Sequence, residues 1–428
     1  MAYMALVLLL IFLVIMLLGT PVGFGMGALT VIAFKLLGGD LSMIPQKMFS
    51  GIDVYTYVCI LLFILSSDIM SVGGITRAIV IFCERLVGHI RGGLAHVNVL
   101  ASMLFAGLSG SAAADAAGLG PIEIQMMTEG GYDKEFSSAV TAASAIIGPI
   151  IPPSNIMIIY AGCVGTVSVG KMFMAGAIPG ILLGIAYMAF CYYISLKRKY
   201  PCREKRASGR EIARATWETL PALLLPIIIM GTITLGICTA TESSAIAVVY
   251  STIVALCRRQ LSFKSFWRAC IRSAKAAANV LFIIAIATAM AWAITTLGVA
   301  QALTNFCMAY INNKYLFLLF VNILLLLIGM LLDASPALLL MVPILWPVAR
   351  AFGISDIHFG VMVCFNLMVG TLTPPVGMML FIVSNVGKVK LSVMYKVILP
   401  FVVVAVVVLI LITYIPSLTT WLPAVLMK

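Results

Sequence analysis

Charge is scarce in this chain. Only 10% of its 428 residues are Asp, Glu, Lys or Arg, and 15 acids stand against 27 Lys and Arg. A soluble domain of that length would carry far more. Histidine is scarcer still: His89, His96 and His358 lie far apart, and none has metal-ligand spacing to other donors. The ten Cys are scattered through apolar runs, with no CxxC and no pairing with His. They read as small core residues, neither a disulfide frame nor a zinc site. No GxxxxGK[ST] loop is present, which excludes a nucleotide-driven pump in this chain alone. No Ser-His or Ser-Lys pair falls at membrane depth, which argues against an intramembrane hydrolase.

What is present is apolar: 63% hydrophobic residues and a mean hydropathy of +1.15. The class is a polytopic helical membrane protein. In that class a net charge of +12 reflects basic cytoplasmic loops and implies no nucleic-acid partner. The run 2–18 has no basic flank and no cleavage site, so it reads as a retained helix and no signal peptide.

Two stretches are too broken to be ordinary membrane helices. In 105–161, one apolar run (94–127) carries Ser109-Gly110-Ser111 at its middle, and the next (136–162) is broken by Pro149, Pro152 and Pro153. A partner stretch follows at one constant spacing. Pro121 falls on Pro343, Gly131 on Gly353, Gly148 on Gly370, and Pro152-Pro153 on Pro374-Pro375. The chain is thus two copies, 1–196 and 219–428, joined by a basic linker, 197–218.

In the first copy, spans are expected at 2–18, 21–37, 54–72, 136–163 (broken) and 172–196. The segment 75–91 is too charged to cross and reads as an interfacial arm. The segment 93–127 is too long for one span and too short for two, so it reads as a re-entrant hairpin. The second copy repeats this order with spans 220–238, 240–257 and 277–297, arm 300–313, hairpin 316–350, broken span 357–386 and last span 395–415. Five crossings per copy is an odd number, so the copies are expected to be inverted relative to one another. Lys and Arg concentrate in 197–218 and 258–275; placing both in the cytoplasm puts both termini outside.

Consecutive prolines withhold two N–H donors from the turn before them. Pro152-Pro153 is expected to free the carbonyls of Gly148 and Pro149, and Pro374-Pro375 those of Gly370 and Thr371. Irregular backbone survives at membrane depth only where it is buried or lines a wet cavity. Free carbonyls, hydroxyl-bearing tips and half-helix N-termini suit Na⁺ and a carboxylate. Of the acids in apolar runs, Asp333 at the second tip is the strongest candidate, since such acids cost about 2.5–3.5 kcal/mol to insert. Asp115 reads as a cap or a partner within the first hairpin. Glu123 and Glu129 are expected at its cytoplasmic end, Asp68 as solvated, and Glu242 as a hydrogen-bonded structural residue.

The segments SGSAAADAAGLGPIEI, GYDKEFSSAVTAASAIIGPIIPPS, TATESSA, LDASPALLLMVPILWPVARAFGISDIHFG and NLMVGTLTPPVG resemble the large membrane subunit of tripartite ATP-independent periplasmic (TRAP) transporters. The likeness covers essentially the whole chain. It implies an elevator-type carrier that uses a Na⁺ gradient to import an organic anion such as a sialic acid, another sugar acid or a C4-dicarboxylate. It implies two partners, a periplasmic substrate-binding protein and a small four-helix membrane subunit, and a bacterial inner-membrane location. Carried over, Ser109, Ser111, Gly148, Ile151 and Pro153 would build one Na⁺ site. Asp333, Ser335, Gly370, Thr373 and Pro375 would contribute to the other. Gly110, Ser154, Asn155 and Thr371 are the candidate substrate contacts. The chain departs from the family at Asn155-Ile156-Met157, where many relatives have Ile-Pro, and at Ala240, where many have a second Pro. The alternative is a stand-alone Na⁺/carboxylate elevator carrier with no binding protein.

Overall fold

The computed structural model describes residues 20–202, 206–311 and 313–427. The run 2–18 lies outside the described residues. Among those residues every regular element is a helix. The first half holds α1 (Val22–Leu36), α2 (Met43–Ile52), a 3₁₀ turn leading into α3 (Val58–Val72), and the arm α4 (Ile75–Val87). A helix–turn–helix follows, α5 (Gly93–Ser109) returning as α6 (Ala112–Gly118) and α7 (Gly120–Glu129). Then α8 (Lys134–Ala145) stops, nine irregular residues intervene, and α9 (Asn155–Val164) resumes before the long α10 (Val169–Arg198).

The second half begins with α11 (Gly209–Thr234), α12 (Ala240–Cys257), α13 (Phe263–Thr296) and the arm α14 (Val299–Tyr310). Next come a helix–turn–helix of α15 (Lys314–Gly329) and α16 (Ala334–Ala351), and a broken helix of α17 (Asp356–Thr371) and α18 (Met378–Gly387). The chain closes with α19 (Leu391–Tyr414) and α20 (Ser417–Leu426).

Seven helices among the described residues are long and apolar enough to cross a membrane, including those expected near 54–72, 172–196, 220–238, 240–257, 277–297 and 395–415. The seventh is α16, one limb of the second helix–turn–helix. The outward faces suit lipid: Ile227 is 63% exposed, Val249 59% and Val403 61%.

One expectation on element bounds needs correction, and two helices were not anticipated. The 258–275 basic stretch is largely helix, because α13 starts at the Ser262 cap and runs 34 residues without a proline or glycine. At roughly 50 Å it outreaches a bilayer core, so its charged first turns cost nothing to extend. The helix at the expected 21–37 span is Val22–Leu36, within one residue of those bounds at each end and about 22 Å long. Those two helices not anticipated are α2 and α20, short amphipathic segments next to longer ones.

Two kinds of contact fix the frame. The first is close approach of small residues. Ser243 and Ser244 of the TATESSA segment are wholly buried, and Ser66 of α3 meets Ser251 Oγ of α12 at 2.7 Å and donates to Ala247 O at 3.2 Å. The second is a pair of amide clamps. Asn98 of α5 donates to Thr141 Oγ1 of α8 (2.7 Å) and accepts from Ser144 (2.7 Å), which also receives the Ser102 hydroxyl at 3.1 Å. In the second half Asn322 of α15 donates to Thr413 Oγ1 of α19 (3.0 Å) and accepts from Asn366 of α17 (2.7 Å). Each clamp ties the first limb of a helix–turn–helix to its neighbouring broken helix. Side-chain hydrogen bonds in such settings contribute about 0.6–2 kcal/mol each.

Candidate functional site

The two helix–turn–helix tips and the two breaks converge. At the first, Asn155 N–H donates to Gly110 O (3.3 Å). Gly110 has φ +57°, and a Cβ there would stand 2.4 Å from Pro153 O. At the second, Gly377 N–H donates to Met330 O (3.1 Å). A Cβ on Gly370 would stand 2.7 Å from Gly329 Cα. Glycine is needed in both halves because backbone approaches backbone. The Pro152-Pro153 and Pro374-Pro375 bonds are both cis.

Between tips and breaks lies a cavity of about 490 Å³, within the range of small-molecule sites. Of the residues singled out from the sequence, Ser109, Gly110, Ser111, Asn155, Asp333, Ser335 and Thr371 line it. Ser111 caps α6, its Oγ accepting from Ala114 N–H at 3.4 Å. Asp333 occupies the same place before α16 but makes no capping bond, and its side chain opens into the cavity. Asn155 is half-buried on the wall.

Gly148, Ile151, Pro153, Gly370, Thr373 and Pro375 stand behind this lining, in the breaks themselves. The four carbonyls expected to be free divide evenly. Pro149 O accepts the Ser154 hydroxyl, and Gly370 O accepts from Thr373 N–H (2.9 Å). No hydrogen bond to Gly148 O or Thr371 O is made among the described residues. Ser154 is wholly buried and also caps α9, accepting from Met157 N–H at 3.3 Å. Its hydroxyl is therefore committed away from the cavity. Thr371 and Thr373 donate to Met368 O and Val369 O, each at 2.7 Å. Tyr395 donates to Pro375 O.

Sequence reasoning missed the opposite wall, formed by Ile64, Ser67 and Asp68 of α3 with Ala276 and Val280 of α13. Asp68 is not solvated as expected: it accepts from Arg272 Nε (3.1 Å) and Ser273 Oγ (2.9 Å) while facing the cavity. An acid in an apolar run was the available signal; its partner was hidden because the bounds of α13 were misjudged. Glu123 does not reach an aqueous end but is wholly buried, as is Asp115, and neither lines the cavity. Glu242 does have a structural role, closing a capping box with Thr239 at 2.7 and 2.8 Å.

The profile of the "Tripartite ATP-independent periplasmic transporter, DctM component" family matches residues 9–418. The sialic acid TRAP transporter large permease protein SiaM of Vibrio cholerae is 40% identical over 408 residues, covering 95% of this chain and 95% of that protein. The C4-dicarboxylate TRAP transporter large permease protein DctM of Pseudomonas aeruginosa is 38% identical over 398 residues, covering 93% and 92%. Among solved structures, the Alcanivorax borkumensis YdaH transporter superposes with a TM-score of 0.66 over 86% of each chain at 14% identity, a likeness of fold. Matched along nearly its full length, this multi-pass membrane protein belongs to the DctM family of TRAP transporter large permeases, and is a transporter subunit rather than an enzyme.

Proposed function

We propose that this subunit imports an organic carboxylate with Na⁺, the acid being handed over by a periplasmic substrate-binding protein and the chain working beside a small membrane subunit. The acids named for its relatives, sialic acid and C4-dicarboxylates, set the class. The tripartite family favours this over a carrier with no binding protein. One observation carries the reading: the described cavity lining contains two aspartates, several hydroxyls and no Lys, Arg or His. Arg272 balances Asp68, and Asp333 has no such partner. An anion entering beside Asp333 needs cations to accompany it. The oxygens at the two tip–break junctions suit Na⁺, one site per half. The repeated order of arm, helix–turn–helix and broken helix supports two inverted halves, 1–196 and 219–428, whose tips travel together as an elevator.

With more Na⁺ charges than anion charges, uptake carries net positive charge inward. A potential of 100 mV, negative inside, then favours it by about 2.3 kcal/mol per net charge. The test is uptake of sialic acid and of succinate by proteoliposomes holding all three components. Uptake should require Na⁺ and rise with a valinomycin-set potential. Accumulation that is indifferent to replacing Na⁺ by choline would overturn the reading.

In orientation, the basic linker faces the cytoplasm and both termini the periplasm. The ion pairs Arg198–Asp133 (3.0 Å) and Arg85–Glu211 (3.6 Å) tie linker residues to the first half of the chain. The exposed native Cys202 and Cys257 should react with an impermeant maleimide only from the cytoplasmic face. A cysteine introduced by Asp40→Cys in a chain lacking those two should react only from the periplasmic face. Reaction of both from one side would refute the inverted threading.

A further inference from the structure

The Asp68–Arg272 pair has a geometry that a simple strut does not need. Arg272 uses only Nε toward Asp68. Its side chain is 61% exposed, and its two Nη groups make no hydrogen bond among the described residues. It stands one helical turn before Ala276, which lines the cavity. Arg272 also belongs to a series. Lys264, Arg268, Arg272 and Lys275 recur at three- and four-residue steps on α13, all exposed, so they share one face. That face is separate from the apolar stripe of Phe263, Trp267 and Ile271, which are 84%, 59% and 43% exposed. It lies between that stripe and the buried side marked by Ala269, Ser273 and Ala277. A row of cations therefore leads from the linker end of α13 up to a cavity that has none of its own.

We propose that Arg272, tethered by Asp68, binds the carboxylate of the transported acid as it leaves the cavity toward the linker end. This rests on the reading above, that the cavity carries an organic anion. The Nη edge of a guanidinium matches a carboxylate's two oxygens. The Asp68 bond holds the fork at the wall and moderates its charge, so that the acid is caught and then let go. Arg268 and Lys264 continue the positive potential outward.

The experiment uses the assembled transporter in proteoliposomes, with the binding protein outside and the cytoplasmic face inward. The reading is inhibition of Na⁺-driven uptake by unlabelled acid loaded in the lumen, using sialic acid or succinate, whichever the wild type accumulates. Arg272→Gln should raise the luminal concentration for half-inhibition about ten-fold, the worth of one charged hydrogen bond. Arg272→Lys should restore part of the loss. Asp68→Asn should move it the other way, because the guanidinium is then uncompensated and holds the acid longer. Opposite signs separate this role from a strut, where losing either partner has the same effect. Two same-direction changes, or an Arg272→Gln transporter with wild-type luminal inhibition, would overturn the proposal. So would an effect that follows only the phosphatidylglycerol content of the vesicles, which would assign the basic row to lipid headgroups. If the wild type itself shows no Na⁺-dependent uptake, the transport reading fails, and this inference with it.

Discussion

Asp333→Asn should raise the Na⁺ concentration for half-maximal uptake about ten-fold or more, the equivalent of roughly 1.4 kcal/mol of lost cation binding. Asp333 sits before α16 with no capping bond and opens into the cavity. An acid that neither caps nor pairs adds little to folding, so the variant should melt close to the wild type. Ser111→Ala, which removes a hydroxyl from the first tip, should act in the same direction. Val342→Ala is the contrast. Val342 is 1% exposed on α16, and shortening it should cost about 1–3 kcal/mol of stability while leaving the Na⁺ dependence in place. Uptake against Na⁺ concentration, with melting curves for each protein, decides the matter. Asp333→Asn with wild-type Na⁺ dependence would remove the second tip from the cation site.

Gly110→Ala should carry two costs at once. Left-handed φ in an alanine carries about 1–2 kcal/mol of strain. Here the new Cβ would also stand 2.4 Å from a backbone oxygen, Pro153 O, which cannot swing aside. The tip must then lift from the break, separating Gly110 from Asn155. Uptake should fall more than about ten-fold, the scale on which roughly 1.4 kcal/mol of misplacement acts. Gly165→Ala provides the control: its φ is +72°, with no atom within 4 Å of the added carbon, so it bears only the strain. Similar losses of uptake from both would show that tip-to-break contact is not what the glycine protects.

The large features were legible because their causes are local. A Pro-Pro pair stops a helix wherever it falls, so both breaks were readable. So were the tips, where Ser109-Gly110-Ser111 and Asp333-Ala334-Ser335 interrupt apolar runs. The arm α4 announced itself through charge on an amphipathic segment. Less legible were features decided between elements. The clamps of Asn98 and Asn322 depend on which helices become neighbours, and a single Asn in an apolar run does not say what it will meet. Ser154 was put forward as a substrate contact, yet its hydroxyl caps α9 and bonds Pro149 O. The far wall, with Asp68 and Arg272, brings together α3 and α13 from different halves of the chain. No spacing rule links residues that far apart.

The linker has a consequence for how the molecule coheres. At its start, Arg198 and Tyr200 bind Asp133, and Pro201 O accepts from Tyr132 (3.1 Å). Further along it, Ser208 caps α11. The halves are already interlocked away from it, α3 against α12 through Ser66 and Ser251, and α9 against α17 through Tyr160 and Asp356 O. Helices that have each crossed a bilayer find one another by packing, whichever polypeptide supplied them. Helices drawn from distant parts of the sequence are thus held together by contacts made side to side.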